Sequence, residues 1–308
     1  MTDLILHHYV GSPFSEKVRL VLGFKGLAWH SVIVPSIMPK PDVTALTGGY
    51  RRTPFMQIGA DIYCDTALIC RVIDSFAPQP PLFPEATTGL ADILAQWADT
   101  TLFWTAVPFT LQPAGVSHVL KNPTPEMLKA FGADRAAMNP NLRRATITDG
   151  AAALGTYLAR LEHLLDSGQP FLLGAQPSIA DFSAAQSVWF LHLAPPVAEV
   201  LNAYPRLGAW YQRVRAFGHG TFSKMTSAEA IVVAARGLRA PLSFAVELGL
   251  VQSEAVTVTP TDYAHDAVAG TLVGLSASEV VVARTDDHAG TVHVHFPRIG
   301  YQIKKQQT

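Results

Sequence analysis

The chain has 308 residues, of which 49% are hydrophobic and 15% charged, with a formal charge of −1 at pH 7. That length and apolar content suffice for two or three domains, and the near-neutral charge gives no general attraction to nucleic acid or an anionic membrane surface. The longest apolar stretches are broken by charge or proline, and Met1 to Asp3 lead into the first strand with no basic, signal-like segment, so the reading is a cytoplasmic protein without a membrane span.

Leu4, Ile5 and Leu6 form a short apolar strand, Gly11 to Pro13 a turn, and residues 16–25 a helix with Val18, Leu20, Val21 and Leu22 at helical spacing. Ser12 therefore falls at the helix N-terminus, where it would serve as an ordinary N-cap. The same position has a chemical use. A helix start presents unpaired N–H groups and a partial positive charge, and a hydroxyl there adds a directed hydrogen bond to a bound anion. If that anion is a thiolate, lowering its pKa by about two units requires roughly 2.7 kcal/mol of preferential stabilisation. A hydrogen bond to a charged group contributes about 1.5–3 kcal/mol and a partly buried helix terminus up to about 2, so the hydroxyl and the helix suffice without a metal.

Thr53-Pro54 stands between the loop Gly48-Gly49-Tyr50 and the apolar strand 55–58. A proline opening a strand is compatible with a cis bond, which would turn the N–H and C=O of Thr53 toward an incoming peptide. Asp65-Thr66 then follows a strand over residues 61–64 and precedes an apolar helix containing Leu68, Ile69, Val72 and Ile73. Either residue can cap that helix. The pair can also hold a free amino-acid end, its ammonium on Asp65 and its carboxylate on Thr66 and backbone N–H groups. Cys64 and Cys70 are the two cysteines of the chain; without a Cys-x-x-Cys or paired histidines they read as reduced, partly buried thiols rather than a disulfide framework or a zinc site.

Taken in order, Tyr9, Ser12-Pro13-Phe14, Arg51-Arg52, Pro54 and Asp65-Thr66 resemble the thioredoxin-like N-terminal domain of the cytosolic glutathione S-transferase superfamily, over residues 1–78. The resemblance implies a serine-type site in which Ser12 activates the glutathione sulfur, Thr53 beside Pro54 binds the cysteinyl backbone, and Asp65 with Thr66 binds the γ-glutamyl end. Two residues depart from the family pattern: Thr53 where a hydrophobic residue is usual, and Asp65 where Glu is common. By the same resemblance Lys40, Arg51 or Arg52 would pair the glycyl carboxylate, and Tyr9 is the rival to Ser12 as activator. Glutathione enters as co-substrate, with no separate cofactor.

The proline-dense segment 78–84 cannot continue a helix and marks a domain boundary. Beyond it, residues 85–240 read as an all-helical domain, with helices over 90–103, 125–138, 143–166, 179–193 and 205–217. Ser178 and Asp181 have capping-box spacing, a folding signal that also precedes a buried helix in the superfamily. The resemblance puts a hydrophobic electrophile in the groove between the domains; among Trp97, Phe103, Trp104 and Phe109, Trp104 and Phe103 are the choices for lining it. A homodimer is the assembly the superfamily implies.

After Pro241 the pattern changes to short alternating runs: Val256/Val258, residues 272–275, Val280/Val282, Val292/Val294/Phe296 and Tyr301/Ile303. Residues 243–308 are expected to form a small β-barrel or β-roll with a core of its own, separable from the rest of the chain. His293 and His295 share one face of a strand, with His288 nearby; with no carboxylate at close spacing they read as surface residues on a solvated face, and no metal is expected. The fold class is thus a thioredoxin-like α/β domain, an all-α domain and a small all-β appendix. The function the resemblance implies is glutathione-thiol activation for attack on a hydrophobic electrophile. The alternatives are a non-catalytic binder of glutathione or hydrophobic ligands, or a glutathione-dependent disulfide reductase. The last is weakened because Ser12 and Ser15 stand where a redox Cys-x-x-Cys would.

Overall fold

A computed structural model describes residues 3–140, 145–245 and 249–306. The first unit runs β1 (Ile5–His8), α1 (Pro13–Phe24), β2 (Ala28–Ile33), α2 (Pro41–Thr47), β3 (Phe55–Ile58), β4 (Asp61–Cys64) and α3 (Thr66–Phe76). β1 pairs parallel with β2 and antiparallel with β3, and β3 antiparallel with β4, which is the thioredoxin-like arrangement. Strand alternation sends Leu6, Met56 and Tyr63 to one face and Ile5, Phe55 and Ile62 to the other. Each face builds a different core.

The first face, covered by α1 and α3, joins the helical unit: α4 (Thr88–Trp97), a π-helical turn (Ala98–Leu102), α5 (Phe103–Thr110), α6 (Pro113–Val119), α7 (Pro125–Met138), α8 (Ile147–Leu164), α9 (Ile179–His192), α10 (Pro195–Ala198) and α11 (Pro205–Arg215). α9 is buried along nearly its whole length against α1, α4 and α5. Its capping box is present. Asp181 accepts from Ser178 N at 2.8 Å, from Leu172 N at 2.9 Å and from the Trp210 indole at 2.8 Å, so one carboxylate ties three segments. The helix expected from residue 143 begins at Ile147; residues 143 and 144 lie outside the described residues.

The remaining elements are β5 (Thr221–Met225), α12 (Ser227–Arg236), β6 (Ala255–Pro260), β7 (Val268–Leu275), β8 (Glu279–Asp286), β9 (Gly290–Pro297) and β10 (Tyr301–Lys305). The expected strands of the appendix are all present, but their partners correct the picture of a separate barrel or roll. β9 pairs parallel with β4, with Asp61, Ile62 and Tyr63 opposite His293, Val294 and His295. The result is one ten-stranded sheet in the order β10-β6-β7-β8-β9-β4-β3-β1-β2-β5. A thioredoxin-like sheet ending at β4 would leave a row of unpaired N–H and C=O groups, and β9 satisfies them. At the opposite edge β5 does the same for β2.

Between these edges α12 crosses the second face. Thr226 and Glu229 cap it reciprocally, and its small residues Ala230 and Ala234 let it lie close to the sheet. The chain then passes the β3–β4 turn so tightly that a Cβ on Gly237 would lie 2.6 Å from the backbone of Gly59, and Ala60 N donates to Leu238 O at 3.1 Å. The second core accordingly contains Ile5, Val43, Leu46, Phe55 and Ile62 from the first unit together with Val256, Val282, Val294 and Phe296 from the appendix. Among the described residues, most of the buried apolar side chains of the appendix belong to this one shared cluster.

Candidate functional site

Strand register places the start of α1, the Thr53–Pro54 bond and the start of α3 at one end of the sheet, with His7 opposite Phe55 and Phe55 opposite Cys64. Ser12 caps α1 in extended conformation, and its Oγ accepts from Ser15 N at 3.2 Å. Its remaining lone pair and its proton are not used in that bond, so capping and donation to an anion are compatible. The Thr53–Pro54 bond is cis. Asp65 caps α3, its Oδ1 accepting from Ala67 N at 2.9 Å, and it holds a positive φ of 76° despite having a Cβ. Such a conformation in a non-glycine residue is uncommon and carries a modest energetic cost.

Thr66 is buried, and Lys17 of α1 donates to its Oγ1 at 3.2 Å. Lys17 is itself fully buried and pairs with Asp99 of the π-helical turn at 2.6 Å, while Asp99 also accepts from Gln186 at 2.6 Å. Burial works against both charges, but for Lys17 the Asp99 carboxylate, with smaller contributions from Cys70 and Asp65, outweighs it and raises the pKa of that ammonium. This buried pair fixes the start of α3 against the helical unit. Its sequence signal is a lysine inside the apolar run of α1, which the reading of that helix passed over.

Lys40 caps α2 by position and is buried, its Nζ reaching Thr53 Oγ1 at 3.3 Å and Arg51 O at 3.2 Å. Burial and the neighbouring Arg135 push its pKa down to about 8. Arg51 turns away to Asp134 of α7 at 2.5 Å. Tyr9 lies between β1 and α1 and is half-buried. In the groove, Phe103 is buried against Phe14 with ring centroids 4.5 Å apart, which makes it a packing residue of the domain junction. Trp104 is half-buried.

The appendix enters this site, which the sequence did not disclose. Arg52 is buried and forms an ion pair with Asp262, donates to the Tyr263 carbonyl, and lies 3.8 Å beneath the Tyr263 ring. The same ring meets Trp104 edge-on at 5.2 Å, and Ala264 N donates to Met138 O of α7 at 2.6 Å. Tyr301 donates to Asp65 Oδ2 at 3.1 Å and contacts the Tyr50 hydroxyl at 3.1 Å. Burial, then the Asp65 charge, raise the pKa of the Tyr301 phenol, so it remains a donor. Residues from the link between β6 and β7 and from β10 thus occupy the carboxylate and guanidinium that the resemblance assigns to the two ends of a peptide.

The chain matches the family models "Glutathione S-transferase, N-terminal domain" over residues 6–81 and "Glutathione S-transferase, C-terminal domain" over residues 95–213. A GST-like protein from Pseudomonas syringae is 41% identical in sequence and superposes with a TM-score of 0.83, covering 99% of this chain and 100% of its own. The chain belongs to the glutathione S-transferase superfamily. The appendix is therefore spanned by that relative as well. FtsZ-localized protein A of Caulobacter vibrioides is 26% identical over 185 residues, which cover 58% of this chain and 73% of that protein. The β-etherase LigF of Sphingobium sp. strain SYK-6 shares the fold at 20% identity and a TM-score of 0.52, covering 70% of this chain and 96% of its own. Among the described residues, no helix is long and apolar enough to cross a membrane.

His295 requires a correction. It is 2% exposed rather than on a solvated face, because β4 pairs against β9 and brings the missing carboxylate, Asp61, from elsewhere in the chain. His295 Nε2 lies 3.0 Å from Asp61 Oδ1, and its Nδ1 lies 2.7 Å from Glu279 Oε1. His293 Nδ1 lies 3.6 Å from the same Asp61 oxygen.

Proposed function

We propose that this superfamily member binds glutathione at the junction of α1, the Thr53–Pro54 bond and α3. There it activates the thiol for attack on a hydrophobic electrophile held toward Trp104. The observation that carries the reading is Ser12 at the start of α1 with its hydroxyl proton uncommitted, on the same sheet end as the cis Thr53–Pro54 bond and the Asp65-Thr66 pair. Ser12 supplies the hydrogen bond to the thiolate, α1 its N-terminal charge, and Lys40 a buried ammonium for a carboxylate of the peptide. The protein acts in the cytoplasm as a homodimer, for which sedimentation at micromolar concentration is the check.

The occupation of Arg52 and Asp65 by Asp262 and Tyr301 favours a second reading, in which the chain is a binding protein whose appendix closes the peptide subsites. One experiment separates the two. Glutathione is titrated by calorimetry while the ultraviolet absorbance of its thiolate is followed against pH, in the parent, Ser12→Ala and Tyr9→Phe proteins. Catalysis by Ser12 gives a depressed thiol pKa in the parent that rises by about one to two units in Ser12→Ala, the equivalent of one charge-assisted hydrogen bond. A titration unchanged in Ser12→Ala but shifted in Tyr9→Phe names the other hydroxyl. No binding by the parent, with binding restored in Asp262→Ala, supports the closed reading.

A further inference from the structure

Asp61 of β4 and the His293–His295 pair of β9 sit at the seam where the appendix joins the thioredoxin-like sheet, the carboxylate remote in sequence from the two histidines and the group outside the proposed glutathione site. Their ligand-type atoms all lie within 4.8 Å of one another, and among the described residues they are the group of this kind. Each is oriented by something behind it. Asp61 Oδ2 accepts from Ala240 N at 2.6 Å, which leaves Oδ1 facing both imidazoles. His295 Nδ1 is engaged by Glu279, which turns Nε2 toward Asp61. His293 Nδ1 is buried, aimed at the same oxygen at 3.6 Å, and has no hydrogen-bond partner.

We propose that these three side chains form a binding site for one divalent cation of the Zn2+ class, which joins β9 of the appendix to β4. Ligands at bond lengths of about 2.0–2.1 Å in a tetrahedron stand roughly 3.3 Å apart. The observed separations of 3.0 and 3.6 Å from Asp61 Oδ1 bracket that value. Two imidazoles and a carboxylate are a ligand set such an ion accepts, with water completing four-coordination. Glu279 behind His295 is the carboxylate–histidine partnership that holds metal-binding imidazoles in place. Arg239, whose guanidinium donates to Thr291 O at 3.0 Å, is the nearby cation that the ion must tolerate. The His293 side chain is 14% exposed, which provides the route to solvent.

The test uses the full-length protein, stripped with a chelator and titrated with Zn2+ by calorimetry, with Co2+ as the spectroscopic substitute. The expected result is uptake of one equivalent, visible Co2+ bands of four-coordinate geometry, and affinity at least about tenfold weaker in both His293→Ala and His293→Gln. His293 lies at the partly open side of the seam, so both variants are expected to fold as the parent does; glutathione binding measured alongside reports on that. Failure to bind Zn2+ at a hundredfold excess would overturn the proposal, as would equal uptake by the parent and the two variants. Nitrogen NMR showing His295 doubly protonated between Asp61 and Glu279 with Zn2+ present would do the same, by assigning the gap to a proton.

Discussion

Phe296→Ala tests whether the appendix and the first unit share one core. Phe296 on β9 is fully buried, with its ring 5.8 Å from Tyr50 of the first unit and 5.4 Å from Tyr301 of β10. Truncating a buried phenylalanine costs about 3–5 kcal/mol, through lost transfer free energy and the cavity left behind. For a chain of this length each kcal/mol lowers the midpoint by roughly 2 °C, giving a fall of about 6–10 °C. The informative quantity is where that loss is felt. Because Ile5, Phe55 and Ile62 belong to the same cluster as Phe296, calorimetry should show one transition moved down as a whole. Hydrogen exchange should quicken in β1 and β3 as well as in β6–β10. Two resolved transitions, with β1 and β3 exchanging as in the parent, would mean that the appendix unfolds alone and that the shared core is energetically idle.

Three further outcomes are expected. Asp65→Ala should weaken glutathione binding by about ten- to a hundredfold in calorimetry, the equivalent of a lost hydrogen bond to a charged group, with a smaller effect on turnover at saturation. Unchanged affinity would place the γ-glutamyl end elsewhere. Tyr301→Phe removes the phenol from Asp65 Oδ2 and frees a lone pair there, so glutathione affinity should rise; a fall would make Tyr301 part of the ligand's own contacts. Stability should decline in acid because His7 and His8 are buried neutral. Burial lowers His7 to about 4 despite its bond to Gln57, and burial with the Arg19 charge lowers His8 to about 3. Their contribution is complete above the unfolded value near 6.5 and is lost as pH falls, at about 1.4 kcal/mol per unit for each histidine. Denaturant titrations between pH 7 and 4.5 measure it; a flat profile would contradict the buried, neutral assignment.

The features legible in the sequence are those whose cause is local. Ser12, Asp65 and the Ser178–Asp181 box are capping signals that occupy a few consecutive residues, and β6–β10 announce themselves by alternation. What alternation cannot state is which strand lies alongside. Val292, Val294 and Phe296 would point inward equally well in a closed barrel and in a sheet extended onto β4. The burial of His295 is hidden from the sequence for the same reason, since Asp61 and His295 are brought together only by that pairing. β5 escaped notice because Thr221–Met225 is exposed along most of its length and carries no inward pattern; it is a strand because β2 offers an edge. The approach of Tyr301 and Asp262 to Asp65 and Arg52 likewise follows from the sheet's course, and no local motif encodes it.

The pairing of β4 with β9 also sets a schedule for biosynthesis. Asp61 and His295 are separated by 234 positions. At the usual elongation rates of about 5–20 residues per second, β4 waits roughly ten to fifty seconds on the ribosome before its neighbour is made. During that interval an apolar strand edge and the underside of the nascent sheet are open to any other chain nearby. A polypeptide built this way closes its first structural unit with residues made 234 positions later, and its yield in the cell depends on what shields that edge in the meantime.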